Sequence, residues 1–344
     1  MSTVNKLSIR DRIDKFENRA TENYKFKVTR RKMGTWVWAI IRLIILSGLA
    51  FIILYPILYM ISISFRPVTQ ILDPTVVWIP RSLTLENIVH IVNLMGYVRA
   101  VWVTTYIGLF SAILQIITVC FAGYGFARFN FPFKKALFVI LLFTIIVPPQ
   151  SLLIPTYIMN VHFDYIWIGG AIIRLINLIT GSDIPATTNV LGTPWAFWTP
   201  AFFASGIRSG LLIFIARAFF TNMPKELEEA AYIDGAGPIR TYFGIMIPNA
   251  RPLLMTIFLF SMVWYWNDFF YAGTMLLDHD STISVRLAQL GSLLSPPGQI
   301  SIDPIALGAY YQVGSLLTVT PPLVMYIFFQ RHFVESIERA GIVG

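Results

Sequence analysis

The chain has 344 residues, 56% hydrophobic and 15% aromatic, with only 13% charged and a formal net charge of +8. A soluble domain carries about twice that charged fraction, so a water-soluble globular enzyme is excluded at the outset. The single cysteine, Cys120, excludes an internal disulfide and a cysteine-built zinc cluster.

Residues 1–35 hold ten Lys and Arg together with Asp11, Asp14, Glu17 and Glu22. Ile9, Ile13 and Phe16 recur at helical spacing, which suits a short helix lying on anionic lipid. No short apolar core with a small-residue cleavage site follows, so this is expected to be a basic tail and not a cleaved signal. Charge-free apolar runs then occupy 43–65, 100–127, 136–161 and 307–330. Each exceeds the ~20 residues a helix needs to cross the hydrocarbon. Two further runs are imperfect: 196–220 contains Arg208, and 252–277 contains Asp268. The expectation is an all-α membrane protein of six transmembrane helices. Pro148-Pro149 and Pro155 in the third span, and Gly314 and Pro321-Pro322 in the sixth, are expected to break or kink their helices.

Between the spans, 66–99 is rich in turn signals (Arg66-Pro67, Asp73-Pro74, Ile79-Pro80), and 278–306 is a second polar connection. The segment 160–195 carries an apolar patch at 165–180 that is too short to span and includes Arg174, so it reads as a helix lying at the membrane surface. Lys and Arg decide the orientation. Nineteen fall in 1–35, 128–135, 217–251 and the C-terminal tail, and five fall in the alternate connections. Both termini are therefore expected in the cytoplasm. The same bias accounts for the net charge without any role in nucleic-acid binding.

Residues able to break bonds are hard to find. There is no Gly-Lys dipeptide for a phosphate loop and no Gly-x-Ser-x-Gly elbow. His90, His162, His279 and His332 stand apart, without metal-ligand spacing.

The conspicuous polar stretch is Lys225 to Gly237, with three glutamates and an aspartate in thirteen residues. Wound as a helix at ~100° per residue, it places Leu227, Ala230, Ala231 and Asp234 on one small, flat side suited to docking. Lys225, Glu226, Glu228, Glu229, Tyr232 and Ile233 take the other. Pro224 suits a helix start, with acids near the positive end of the dipole. Gly235-Ala-Gly237 allows a sharp turn whose free N–H groups Asp234 is expected to accept. Pro238 opens a second helix with an apolar stripe of Ile239, Phe243 and Met246 or Ile247. The expected object is a helix–turn–helix peg over 222–248.

Glu229-Ala-Ala-x-x-Asp234-Gly235-Ala236, with Phe243 and Ile247-Pro248, resembles the EAA loop of permease subunits of binding-protein-dependent ABC importers. Phe214 to Ala231 is similar to the approach to that loop in the sugar-import branch. Val147-Pro-Pro-Gln150 with Ile154-Pro155, Ser62-Ile-Ser-Phe65, the Leu85-Glu-Asn87 turn and Trp266-Asn-Asp-Phe269 extend the resemblance over about residues 40–344, most similar to the maltose-type second permease. It implies a type I importer permease domain over 36–344 after the tail at 1–35, in a bacterial cytoplasmic membrane, with no enzymatic activity of its own. It implies a second permease as a heterodimer partner, two copies of a cytoplasmic ATPase and an extracellular solute-binding protein. No cofactor belongs to this chain; ATP and Mg sit on the ATPase. Glu229, Ala230, Ala231, Asp234, Gly235, Ala236 and Phe243 become the ATPase-coupling residues. The chain departs from the family in the extra residues around 160–192 and in a tail, from Glu335 onward, that only loosely matches the Gly-rich end.

For the solute path, the candidates are Arg208, Trp264, Trp266, Asn267, Asp268, Tyr310 and Gln312. Arg208 stands ~18 Å of helix from Phe220. An intramembrane cation faces the protein interior, where it either lines the path or forms an ion pair with Asp268. The aromatic residues suit stacking on a sugar, and an interfacial aromatic belt explains them equally. A transporter or channel working without ATP is the alternative, and would call for mid-membrane ion ligands and inverted repeats.

Overall fold

The structure, a computed structural model, describes residues 9–73, 75–76, 78–164, 169–182, 185, 187–277, 281–296 and 302–341, with the backbone alone at 9–34, 169–172 and 331–341. Described residues are almost all helix or turn, with one isolated antiparallel bridge between Phe163 and Thr188. From Ile9 the described chain is one helix, α1 (Ile9–Ser64), so the described part of the basic tail continues into the first apolar run without a break. Its stretch Thr35–Ser64 is long and strongly apolar, with Arg42 its one charge.

From Ser62 onward the organising element is α4 (Tyr97–Arg128), reached through the short α2 (Val68–Ile71) and α3 (Glu86–Leu94). The expected turn at 85–87 is instead the start of α3, where buried Asn87 donates to the Arg66 carbonyl at 2.6 Å. Beyond α4 come α5 (Lys134–Ile146), a 3-10 turn at Pro149–Leu152, α6 (Leu153–Val161) and α7 (Gly169–Thr180). Then follow α8 (Trp195–Phe202), α9 (Ser209–Asn222), α10 (Glu226–Ile233), α11 (Pro238–Thr241), a π turn at Tyr242–Met246, α12 (Ile247–Asn249) and α13 (Arg251–Asn267). The chain ends with α14 (Phe270–Met275), α15 (Ile283–Ala288), α16 (Leu290–Leu294) and α17 (Pro304–Gly341).

Among the described residues, three helices are long and apolar enough to cross a membrane: Thr35–Ser64, Tyr97–Arg128 and Pro304–Gln330. Two bent pairs pass the same test, Lys134–Ile146 with Pro149–Val161 at 104° and Pro238–Asn249 with Arg251–Asn267 at 76°. The third expected span is thus broken at Pro148, as its prolines imply.

Three spans differ from expectation, and one of them, 252–277, is α13 and α14 parted at Asp268 and Phe269. The run 196–220 is two helices, parted at 203–208, where Ala204 (φ 55°) and Arg208 (φ 54°) take left-handed backbone. In a bilayer, freed backbone groups need protein partners, and neighbouring helices supply them. Thr118 donates to the Ala201 carbonyl at 2.9 Å, and Gln115 to the Ile207 carbonyl at 2.8 Å and to Ser209 at 2.9 Å. Gly206 permits this, because a Cβ there would stand 2.6 Å from the Tyr265 hydroxyl. In the sixth run the prolines do not break the helix: α17 continues through Pro321 and Pro322. Each proline frees the carbonyl four residues earlier. Tyr97 donates to the Leu317 carbonyl at 3.0 Å, and Trp266 Nε1 to the Thr318 carbonyl at 2.9 Å. The lost bonds are replaced from α4 and α13.

Helix α4 packs on α8, α9 and α13. Close approach to α9 depends on small residues, as in other membrane bundles: a Cβ on Gly123 would lie 2.5 Å from that of Ala216. The buried cluster at this end includes Val119, Tyr124, Leu212, Phe220, Tyr242, Met246 and Leu253. Tyr242 and Met246 belong to the π turn, so this core carries the peg.

Candidate functional site

Lys225 opens α10 by accepting hydrogen bonds at its carbonyl from the Glu228 and Glu229 amides, both at 3.0 Å. Pro224 stands just before the helix and Glu226, Glu228 and Glu229 fill its first turn. At the other end Gly235 is left-handed (φ +79°). Its N–H goes to the Tyr232 carbonyl at 3.1 Å, and that of Ala236 to the Ala231 carbonyl at 2.9 Å. This is a Schellman closure. It corrects the role expected of Asp234: backbone carbonyls take the turn N–H groups, and the exposed Asp234 carboxylate takes none of them.

The helix–turn–helix over 226–249 is present, but its faces are divided differently from expectation. Ala230 and Glu229 are exposed, and Leu227 is half-buried. Ala231 is 3% exposed and turned into the chain's own fold, where α10 packs on the π turn. The small side is therefore no single docking face. Glu228, three residues before Ala231 and on the same side of the helix, is buried as well. The stripe expected on the second arm also divides. Met246 is fully buried, while Ile239 and Phe243 stand outside with Ile233, which is 85% exposed. A π turn adds about one residue to each helical turn, and so rotates Phe243 away from the face that buries Tyr242 and Met246. Of the coupling candidates, Glu229, Ala230, Asp234, Gly235 and Phe243 are exposed, Ala236 is half-buried and Ala231 is inward.

What sequence reasoning missed is the inward contact. Arg128, the last residue of α4, places Nε 3.3 Å from Glu228 Oε1, with the two side chains 7% and 11% exposed. Its Nη2 donates to the Met223 carbonyl at 2.6 Å. Tyr124, one turn earlier on α4, stacks at an angle on Tyr242 with ring centroids 5.0 Å apart. The available signal was the three-residue spacing of Glu228 and Ala231.

The path candidates do not form one site. Arg208, exposed beside the α8–α9 break, lies 5.1 Å above the Trp264 ring, which stacks on Phe260. Trp264 and Asn267 share one face of α13 by their spacing, and Asp268 ends the helix in extended backbone. The ion pair between Arg208 and Asp268 is not formed. The Asp268 carboxylate instead accepts the amides of Tyr271 at 3.3 Å and Ala272 at 2.9 Å, opening α14. Trp266 points elsewhere, bound to the Thr318 carbonyl. Tyr310 packs on the His90 ring at 5.6 Å in that same cluster, and Gln312 is half-buried.

Known proteins agree with this architecture. An arabinooligosaccharide transport system permease protein of Halalkalibacterium halodurans is 26% identical over 304 residues, covering 86% of this chain and 93% of its own length. An osmoprotective compounds uptake permease of Synechocystis is 28% identical, covering 91% and 95%. A maltodextrin transport system permease of Bacillus subtilis is 26% identical, covering 87% and 94%. The fold is similar to that in the crystal structure of a bacterial ABC transporter involved in import of the acidic polysaccharide alginate. That match has a TM-score of 0.61 at 18% identity, over 86% of this chain and 96% of the other. Residues 115–339, which include the peg, α4 from Gln115 and the α8–α9 break, match the binding-protein-dependent transport system inner membrane component family. The chain belongs to that family: it is a multi-pass membrane permease subunit, a transport component and not an enzyme.

Proposed function

We propose that this chain is one permease of an ATP-driven importer that moves an oligosaccharide or related carbohydrate from an extracellular binding protein into the cytoplasm. The observation that carries this is the exposed helix–turn–helix at 226–249, seated on the α4–α9–α13 core. An apolar patch (Ile233, Ile239, Phe243) and the acids Glu229 and Asp234 are exposed together there, as a peg for an ATPase groove requires. Carbohydrate is favoured because two of the relatives above are named for arabinooligosaccharide and maltodextrin transport.

The reading takes six spans, counting α8 and α9 as one broken crossing of about 33 Å, with both termini and the peg cytoplasmic on the Lys and Arg bias. A second, different permease completes the channel in a bacterial plasma membrane. Two ATPase copies hold ATP and Mg, and their closure tilts the permeases between inward- and outward-open forms. Arg208, Trp264 and Asn267 are the path residues, offering a cation, an aromatic face and an amide to a sugar. Trp266 and Tyr310 are packing residues.

The test is affinity purification of the tagged chain from its native membrane. An ATPase subunit and a second permease are expected in stoichiometric amounts. A chain that purifies alone, with no nucleotide-hydrolysing partner, contradicts the proposal.

A further inference from the structure

The peg is joined to the bundle by two contacts of different chemistry. The aromatic one, Tyr124 on Tyr242, belongs to a packed core that also holds Phe220 and Met246. The polar one is the Arg128–Glu228 pair, and it is unusual in composition. Both side chains are about nine-tenths buried at 3.3 Å, and neither Arg128 Nε nor Glu228 Oε1 completes a hydrogen bond, nor does the nearby Tyr124 hydroxyl. Breaking a buried pair leaves an uncompensated charge, while a well-packed apolar pair of the same volume is often as stable or more so. Packing alone therefore gives no reason for charges here. Direction does: a buried ion pair is costly to separate, because each charge left behind is uncompensated, and that cost fixes register.

The placement is specific. Arg128 is the last residue of α4, and its Nη2 also holds the carbonyl of Met223, the residue that closes α9. Glu228 lies in the first turn of α10. One guanidinium thus gathers the ends of α4 and α9 and the start of the peg. Upstream, Gly123 against Ala216 lets α4 and α9 touch backbone to backbone, so force applied to α10 is delivered to a rigid pair.

We infer that Arg128 and Glu228 are positioning residues for coupling: their ion pair is the joint through which motion of the peg is passed to α4 and α9. The inference rests on the importer proposal above, and Glu228 is distinct in it from Glu229, which faces the partner.

The experiment uses the full assembly in proteoliposomes, reading solute moved per ATP hydrolysed. Wild-type assembly with ATP-dependent uptake tests the importer proposal by itself, before any variant is compared. Glu228→Gln is expected to assemble with the ATPase in wild-type amount and to move about five- to tenfold less solute per ATP. The conservative Glu228→Asp, which keeps the charge and leaves Arg128 on the Met223 carbonyl, is expected to hold that ratio to within about twofold of wild type. A Glu228→Gln assembly with the wild-type ratio overturns the joint. So does a failure of Glu228→Gln to assemble, which reduces the pair to a folding role, or a Glu228→Asp no better than Glu228→Gln.

Discussion

Glu228 and Glu229 sit ~100° apart around α10, and that angle divides the acidic charge of the peg between an inward contact and an outward surface. Gly235 shows a similar economy at the turn. A Cβ there meets nothing within 4 Å, so the requirement for glycine lies wholly in φ +79°. Gly235→Val is expected to cost about 1–2 kcal/mol of local stability and to uncouple hydrolysis from transport while the subunit still inserts. Uptake and ATPase rates of the reconstituted variant check this, and normal coupling would count against the turn. Arg208→Gln is expected to lower uptake at least about tenfold with ATPase association intact. Because no ion pair joins Arg208 to Asp268, adding Asp268→Asn is expected to give no rescue; recovery of uptake in the double variant would restore the pair.

At the scale of elements, the peg and the break at Pro148 were largely legible from sequence, and the break between α8 and α9 was not. Helical spacing, Pro224, Gly235 and Pro238 are local signals, and they placed both arms and the turn. They did not say which alanine faces inward, because Ala231 is set by the π turn it packs on and not by its own segment. Asp234 was assigned the turn N–H groups that the carbonyls of Ala231 and Tyr232 take. The break at 203–208 had Pro200, Gly206 and Arg208 to announce it, and groups that satisfy it come from α4. Pro321-Pro322 announced a break that does not occur, because the donors that replace the lost bonds lie 220 and 52 residues away in sequence. Trp266→Phe, which keeps the ring and removes the N–H, is expected to lower thermal stability by about 1–3 kcal/mol. It should leave the apparent affinity for solute unchanged, which distinguishes a brace on α17 from a path residue. A changed solute affinity at wild-type stability would return Trp266 to the path.

For the molecule as a whole, the proposed function and the proposed joint together make one mechanical sequence. In that proposal the apolar patch and acids of the peg meet a partner, the joint at Arg128 carries its motion, and the α4–α9–α13 core moves as a unit. The α8–α9 break and the Arg208–Trp264 contact then lie where that motion reaches the solute. The most direct measurement is carbohydrate uptake by the purified assembly in sealed vesicles, with binding protein outside and nucleotide inside. Uptake of an oligosaccharide that requires both ATP and the binding protein, and that no ion gradient replaces, is the predicted result. Uptake driven by an ion gradient with ATP absent would contradict the central claim.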